Sequence, residues 1–295
     1  HNPPEVYADL MIQTAELIKK IQPESLTIGF ALAGIPVDWA EDVLKIAKAQ
    51  NKAHLVDFLC YHPYNFNPDD SYATVDKLYK VMKKYAPNME LRQGENGAPS
   101  AYRNTKELSK YEWTELTQAN WALRRMLGDL GRDIPTSIFS IIDLKYPDEM
   151  NRKGLLYSNE DQTVNHKKQA YFAVQNLAAV FDNSLERIKN FNYKAETGHK
   201  ISSFAYTNKS NKQNIITVWL HTNRPTDYNA TTPVDVEMKN VTFKNPVWVD
   251  LRNGTVYEIP KNYSWSQSGN TLKMTRLPVY DSPVLIAEKE LIKLK

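Results

Sequence analysis

The stretch Leu-Val-Asp-Phe-Leu-Cys-Tyr at residues 55–61 is the clearest indicator of the fold in this sequence. It is a short, mostly apolar run, which is typical of a strand buried on both faces of a parallel sheet. An amphipathic segment follows at residues 70–85 and stops before Pro87, so the pattern predicts a helix after the strand. A strand followed by a helix is the repeating unit of an α/β fold.

The same unit recurs on both sides of this stretch. Further strands are predicted at residues 26–33, 89–94 and 135–142, and further helices at residues 4–22, 36–49, 109–130 and 165–181. Asp38 is the predicted N-cap of the helix at 36–49. Buried strands that alternate with amphipathic helices predict a parallel sheet with helices outside it. Four such units fit either an open α/β sheet or half of an eight-stranded barrel.

The pattern changes near residue 185, where short runs separated by turn signals begin. Strands are predicted there at residues 201–207, 214–220, 234–238, 247–251, 255–259, 271–277 and 284–287. Several short strands with turns between them indicate an all-β sandwich. We therefore predict two domains, an α/β domain at residues 1–184 and a β-sandwich at residues 185–295.

Composition excludes several classes of protein. The chain has 295 residues with 42% hydrophobic residues, so it has enough apolar surface to fold, and it has no apolar run long enough to span a membrane. The 37 Lys and Arg nearly balance the 34 Asp and Glu, which argues against nucleic-acid binding. Cys60 is the single cysteine, so an internal disulfide and a Cys-based zinc site are excluded.

Functional groups of a parallel α/β domain lie at the carboxyl ends of its strands. Glu95 ends a predicted strand between two glycines, in Gln-Gly-Glu-Asn-Gly at residues 93–97. A carboxylate at this position can act as a nucleophile, a general base or a metal ligand. A loop glutamate that caps the next turn explains the position equally well.

Other polar and aromatic residues follow the neighbouring strands. Tyr61, His62 and Tyr64 can hydrogen-bond a carboxylate or stack on a ligand, although a lone His beside Pro is more often structural. Asp143 is either a ligand contact or a local ion-pair partner of Lys145. Aromatic side chains near the strand ends can stack on sugar rings or simply fill the core: Trp39, Tyr61, Tyr64, Phe66, Tyr102, Trp113 and Tyr146.

The sequence indicates no metal and no cofactor. Its six His residues are scattered, and no two of them have ligand spacing on one element. A phosphate-binding loop, a dinucleotide fingerprint and a serine nucleophile elbow are all missing. Cys60 lies in an apolar strand, so a buried and inert thiol is the favoured interpretation.

Taken together, these motifs resemble the second half of a clan A glycoside hydrolase, one of the retaining (β/α)8-barrel enzymes, with family 39 or family 5 the nearest in character. The resemblance is carried by residues 61–64, 93–97, 137–143, 153–156 and 168–173, and more loosely by residues 249–254 and 277–283 of the β domain. It implies that Glu95 is the nucleophile and that the substrate is a carbohydrate. The implied substrate-binding residues are Tyr61, His62, Tyr64, Asn96, Phe139, Asp143 and Trp39.

The resemblance also assigns finer roles to some of these residues. Tyr64 or His62 is expected to hold Glu95 in place, and Asn96 either to face away or to brace the loop. Phe139 stands where the clan usually has the Trp that lines the first sugar subsite. The Asn-Glu-Pro motif that carries the acid/base of the clan does not occur, and Glu5 belongs instead to a helix start. We therefore expect the acid/base and the N-terminal half of the barrel upstream of residue 1, in the same or a separate polypeptide.

Three functional expectations follow. The first is a retaining glycoside hydrolase, or part of one, that cleaves an oligo- or polysaccharide. The second is a non-catalytic carbohydrate-binding protein with a glycosidase-like fold, and in the third the β domain only supports the barrel. The resemblance implies a secreted, periplasmic or cell-surface location, because such enzymes are often exported to reach polymers.

Overall fold

A computed structural model describes residues 3–261 and 264–294, and the chain divides into two compact units. The first unit comprises the residues up to Asn65 together with Asp70–Asn96 and Ile134–Ser137. The second comprises Phe66–Asp69, Gly97–Asp133 and the residues from Ile138 onward.

The first unit is an α/β layer built from alternating helices and parallel strands. Its elements are α1 (Pro4–Ile21), β1 (Ile28–Ala33), α2 (Val37–Ala49), β2 (Phe58–His62), α3 (Tyr72–Tyr85) and β3 (Glu90–Gln93). Within the described part of the chain the strands pair in parallel in the order β1-β2-β3. The predicted alternation of helix and strand is present in this unit.

The core of this unit lies between the sheet and the helices. Each helix buries residues three or four positions apart, which is the spacing of one helical face. For α2 these are Ala40, Val43, Leu44 and Ala47, and for α3 they are Tyr72, Val75, Leu78 and Met82. They form one cluster with Leu59 of β2 and Leu91 of β3.

The start of α2 differs from the prediction. Pro36 occupies the N-cap position, and Asp38 lies in the first turn. A carboxylate in the first turn still interacts favourably with the helix dipole. The prediction that Asp38 caps this helix was therefore wrong in position, while its charge still favours the helix.

The fourth predicted strand is also different. Residues 135–142, which are all described, contain no regular strand. Gln93 explains part of this, because its side-chain Oε1 accepts a 2.7 Å hydrogen bond from Ser137 N, a group that a strand ladder would otherwise use. Farther along, Ser140 and Ile141 instead accept hydrogen bonds from the backbone of Leu155 and Leu156.

The second unit combines helices with antiparallel strands. Its helices are α4 (Glu115–Leu130) and α5 (Gln169–Val180), and four short strands precede α5: β4 (Leu144–Lys145), β5 (Met150–Asn151), β6 (Leu156–Ser158) and β7 (Val164–Lys167). The remaining strands are β8 (Leu185–Arg187), β9 (Asn192–Glu196), β10 (Ile201–Asn208), β11 (Asn214–Leu220), β12 (Thr232–Lys239), β13 (Pro246–Asp250), β14 (Thr255–Glu258), β15 (Trp265–Ser268), β16 (Thr271–Val279) and β17 (Val284–Glu288).

Strands β8 to β17 form two antiparallel sheets, which we call the two-sheet region. In the described residues the sheet orders are β14-β13-β17-β11-β10-β8 and β15-β16-β12-β9. Side chains from both sheets share one hydrophobic cluster, for example Ile216 and Ile286 of one sheet with Met238 and Leu272 of the other. All seven strands predicted after residue 200 are present, whereas β8, β9 and β15 were missed because they are short and polar.

Strand β11 shows why α4 and α5 belong to the same unit as these sheets. Ile216 and Val218 lie in the cluster between the sheets, while Ile215 and Trp219 lie in a second cluster with Leu123 of α4. Both faces of this strand are therefore covered, which explains its continuous apolar sequence. The domain boundary at residues 184 and 185 stays a prediction: the change to strands occurs there, but the compact unit begins earlier in the chain.

Candidate active site at the carboxyl ends of the parallel strands

The carboxyl ends of β2 and β3 bring Tyr64 and Glu95 together. Tyr61 of β2 is paired with Gln93 of β3, so the residues that follow the two strands leave the sheet side by side. Tyr64 Oη donates a 2.8 Å hydrogen bond to Glu95 Oε1, and both side chains are half-buried. A half-buried carboxylate held by a hydroxyl at a strand end is positioned to act on a ligand.

Gly94 permits a very close approach beneath this carboxylate. A Cβ built at Gly94 would lie 2.1 Å from Cys60 Sγ and 3.0 Å from His62 Nε2. Any side chain at this position would collide with the thiol, so the backbone that carries Glu95 lies directly against Cys60 and His62.

The Cys60 thiol and the His62 imidazole, which both lie against Gly94, are also neighbours of each other. Cys60 Sγ lies 3.7 Å from His62 Nε2. Burial raises the pKa of the Cys60 thiol, Arg92 acts to lower it, and Glu95 adds to the rise. The thiol is therefore held in its protonated form, which agrees with the interpretation of Cys60 as inert.

Asn96 and Gln93 brace the segment on either side of Glu95. Asn96 is completely buried and its Nδ2 donates a 3.0 Å hydrogen bond to Ser137 O. Ser137 Oγ in turn donates to Gly94 O at 2.8 Å. Among the residues that the structure describes, Asn96 Oδ1 and Gln93 Nε2 are buried without a hydrogen-bond partner. This placement favours the bracing role for Asn96, and its role in substrate binding stays a prediction.

Two of the predicted substrate-binding aromatics contact the core of the first unit. Tyr61 is fully buried within its cluster, which favours the core-packing alternative. Trp39 is half-buried and packs against the same cluster, with its ring 5.1 Å from the ring of Tyr7. The substrate-binding role of these two residues stays a prediction.

Strand β1 carries a local distortion that the sequence did not signal. Phe30 and Ala31 have φ values of 75° and 43°, and the register with β2 shifts between Gly29 and Leu32. Tyr7 Oη accepts a hydrogen bond from Phe30 N at this bulge. Such irregularities re-aim side chains at strand ends and are frequent beside functional sites.

Phe139 and Asp143 both belong to the second unit. Phe139 is half-buried, and the peptide bond that links it to Ser140 is cis. A Cβ at Gly97 would lie 1.9 Å from Phe139 O, so the glycine that follows Asn96 in the motif allows this close contact.

Asp143 is buried, and its carboxylate is held by hydrogen bonds within the second unit. This placement favours a structural role, and its role as a substrate contact stays a prediction. Lys168 Nζ donates to its Oδ1 at 2.6 Å, Arg152 Nη1 to its Oδ2 at 3.1 Å, and Gly154 N to its Oδ1 at 2.9 Å. The predicted pairing with Lys145 was wrong, because Lys145 Nζ donates to Glu160 O. Burial lowers the pKa of Lys168, and its hydrogen bond with Asp143 opposes that change.

Across residues 3–261 and 264–294, none of the helices combines the length and apolar character needed to span a membrane. The same ranges contain no grouping of three or more His, Cys, Asp or Glu side chains that could hold a metal ion.

No protein-family model matches the chain, and no curated protein sequence matches it. Solved structures do match the chain. The catalytic domain of the GH30 xylanase C from Talaromyces cellulolyticus has a TM-score of 0.53 at 12% identity, over 97% of this chain and 57% of that one. N2152 from Neocallimastix frontalis has a TM-score of 0.47 at 12% identity, over 95% and 64%. A β-glucuronidase from Bacteroides uniformis has a TM-score of 0.42 at 12% identity, over 94% and 32%.

The similarity to the xylanase catalytic domain is a similarity of fold. The chain spans somewhat more than half the length of the xylanase catalytic domain, and nearly all of the chain takes part in the match. The chain therefore shares its fold with part of a glycoside hydrolase catalytic domain.

Proposed function

We propose that this chain carries the nucleophile side of a retaining glycoside hydrolase that cleaves O-glycosidic bonds in an oligo- or polysaccharide. The hydrogen bond from Tyr64 to Glu95 at the strand ends carries the proposal. Glu95 attacks the anomeric carbon, the leaving-group oxygen departs with a proton from an acid, and water then hydrolyses the glycosyl-enzyme ester.

The surrounding residues support this role by fixing the carboxylate before substrate arrives. Tyr64 holds Oε1, Gly94 is packed onto Cys60 and His62, and the loop is tied to Ser137. A nucleophile that is already in position loses little entropy in the reaction.

The acid/base of a retaining pair stands about 5–5.5 Å from the nucleophile. We propose that it comes from the N-terminal half of a barrel, in the same or a separate polypeptide. The exposed surface of the first unit supports this proposal. Val6, Leu10, Leu17 and Ile21 fall within one face of α1, and each is at least 57% exposed.

Strand β1 adds a second exposed surface that a neighbouring element could cover. It lies at the edge of the described sheet, and Ile28 is 53% exposed. Proteins usually cover an open strand edge and an apolar helix face. A preceding half-barrel would cover both surfaces, since it would add the next strand to β1.

A labelling experiment tests the nucleophile without needing the acid/base. Dinitrophenyl 2-deoxy-2-fluoro-β-xyloside and the matching glucoside have leaving groups that depart unprotonated, so Glu95 alone suffices for attack. We expect a covalent adduct on the peptide containing Glu95, measured by intact-mass and peptide mass spectrometry. The adduct is lost in Glu95→Gln and kept in Glu90→Gln, a matched change at the first residue of β3, the strand that leads to Glu95.

Two results contradict the proposal: no adduct with either reagent, or an adduct that persists in Glu95→Gln. The alternative is a non-catalytic carbohydrate-binding protein, which is favoured by a cavity in the two-sheet region that Trp248 and Tyr257 help to line. In that case the chain binds oligosaccharide equally well before and after Glu95→Gln and is never labelled. Either function implies a secreted, periplasmic or cell-surface location, where polymeric carbohydrate is reached.

A further inference from the structure

The two-sheet region contains a cavity of about 510 Å³. It is lined by β13, β14 and β16, by Ile259, Pro260 and Ser264, and by residues 229 and 231. Sites for small molecules occupy about 300–1,000 Å³, so the volume is sufficient for a ligand.

A polar network of buried side chains forms one side of this cavity. Arg252 Nη2 donates to Asp250 Oδ2 at 2.8 Å, and Tyr280 Oη donates to the same oxygen at 2.6 Å. Arg252 Nη1 donates to Asn229 Oδ1 at 2.7 Å, and the side chains of Arg252 and Asp250 are only 10% and 7% exposed. Burying an ion pair is costly, and apolar residues of similar volume often serve stability better. The network therefore places charged groups and a hydroxyl group in the wall of the cavity, where they can also meet a polar ligand.

Aromatic and apolar side chains form the other walls. Trp248 and Tyr257 meet edge to face with ring centroids 5.5 Å apart, and Trp248 Nε1 is fixed by Pro278 O at 3.0 Å. Tyr257 is 55% exposed, and Met274 and Leu277 complete the apolar surface. The Trp248 indole is thus held by its hydrogen bond, while Tyr257 presents an accessible ring.

A bulge in β16 shapes the rim of the cavity. Val234 pairs with Leu277 and Val236 with Met274, so Thr275 and Arg276 stand opposite the single residue Asp235. Arg276 has a φ of 53°, and its N donates to Asp235 Oδ1 at 2.6 Å. Bulges of this kind turn side chains out of the regular alternation, and here both residues of the bulge, Thr275 and Arg276, line the cavity.

We propose that this cavity binds one or two uncharged sugar residues of an oligosaccharide. The charged residues that line it are two arginines, Arg252 and Arg276, and two acids, Asp250 and Glu258, so their charges balance. A sugar hydroxyl both donates and accepts hydrogen bonds, and this wall offers partners of both kinds. The apolar face of a pyranose ring fits against an aromatic wall. This binding does not depend on catalysis by Glu95.

Titration calorimetry with xylotetraose, cellotetraose and mannotetraose tests the proposal on the full chain. We expect at least one of them to bind, with a change in the tryptophan emission of the chain, to which Trp248 contributes. Tyr257→Ala should weaken that binding by about tenfold, because it removes the accessible ring. Tyr257→Phe keeps the ring and should retain binding. Tyr228→Ala, at a tyrosine that is 75% exposed and outside the lining, is the matched control.

Three results overturn the proposal: none of the three oligosaccharides binds, Tyr257→Ala leaves the affinity unchanged, or Tyr228→Ala weakens it to the same extent. Circular dichroism shows whether each variant is folded. The outcome is separate from that of the labelling experiment. Loss of the fluoroglycoside adduct in Glu95→Gln tests the nucleophile, whereas Tyr257→Ala should leave that adduct in place.

Discussion

Lys168 Nζ donates a 2.6 Å hydrogen bond to Asp143 Oδ1, and both side chains are completely buried. Asp143→Asn removes the negative charge and leaves the ammonium group of Lys168 without its counter-ion. Breaking a buried pair from one side costs about 3–5 kcal/mol. We expect the free energy of unfolding to fall by about that amount in urea titrations followed by circular dichroism.

Two comparisons isolate the ion pair in that experiment. Asp148→Asn changes an exposed carboxylate in the same segment and should change stability by less than about 0.5 kcal/mol. The double variant Asp143→Asn with Lys168→Met should be less destabilised than the sum of the two single changes, because the fully buried ammonium group is then absent as well. Strict additivity would show that the pair does not act as a unit.

Gly94 should tolerate no side chain while Cys60 is present. Gly94→Ala places a methyl group 2.1 Å from Cys60 Sγ, so the strand ends must shift. Overpacking of this kind costs about 1–3 kcal/mol. We expect a matching loss in the free energy of unfolding and a slower reaction of Glu95 with the fluoroglycoside, since Glu95 is the next residue.

Cys60→Ala should recover part of that loss, because it removes the sulfur that the new methyl group meets. Gly198→Ala is the control, since a Cβ there meets no described atom within 4 Å. Equal stability of Gly94→Ala and Gly198→Ala would contradict the close packing beneath Glu95.

Local patterns in the sequence predicted much of the fold. The apolar run at 55–61 overlaps β2 over residues 58–61, and the runs predicted at 201–207 and 214–220 coincide with β10 and β11 to within one residue. These predictions succeeded because the pattern of apolar residues along a short segment indicates which of its side chains are buried. The irregular path of residues 135–142 depends instead on a hydrogen bond from Ser137 to the distant side chain of Gln93, which no local pattern shows.

The candidate site likewise contains residues that a local pattern predicts and residues whose placement depends on distant partners. The rule that strand ends carry functional groups was enough to select Glu95 and Tyr64, which the structure joins directly. It also selected Asp143, but the partner of Asp143 is Lys168, which lies 25 residues away along the chain and has no spacing signal. Such long-range pairs decide whether a carboxylate is accessible or buried, and the sequence alone does not reveal them.

Tyr64→Phe should slow the attack by Glu95. The hydroxyl that holds Oε1 at 2.8 Å is lost, and the ring remains. A hydrogen bond to a charged group contributes about 1.5–3 kcal/mol, so we expect adduct formation to slow by at least about tenfold. The rate is measured by intact mass against time with the activated fluoroglycoside.

Tyr79→Phe is the matched control for this change, because Tyr79 lies on α3 and is 45% exposed. It should leave the labelling rate unchanged. An unchanged rate in Tyr64→Phe would show that Glu95 does not depend on this hydroxyl, and equal slowing in both variants would indicate a general loss of structure.

Asp250 makes the stability of the second unit depend on pH. Burial raises the pKa of Asp250, but the hydrogen bonds from Arg252 and Tyr280 and the charge of Arg252 outweigh it, so its pKa is lowered. A carboxylate with a lowered pKa in the folded state stabilises the fold above its unfolded pKa of about 3.9. That stabilisation is lost as the pH falls through the lowered pKa.

Tyr280→Phe should therefore destabilise the chain most near neutral pH and less in acid. The variant loses the 2.6 Å hydrogen bond to Asp250, so the pKa of Asp250 moves back toward its ordinary value. We expect a loss of about 1.5–3 kcal/mol at about pH 7, measured by urea unfolding, that shrinks below about pH 4 as Asp250 becomes protonated in both states. Tyr228→Phe, at an exposed tyrosine, should be neutral throughout. A loss in Tyr280→Phe that stays constant or grows down to about pH 2.5 would show that the hydroxyl does not act through the Asp250 carboxylate.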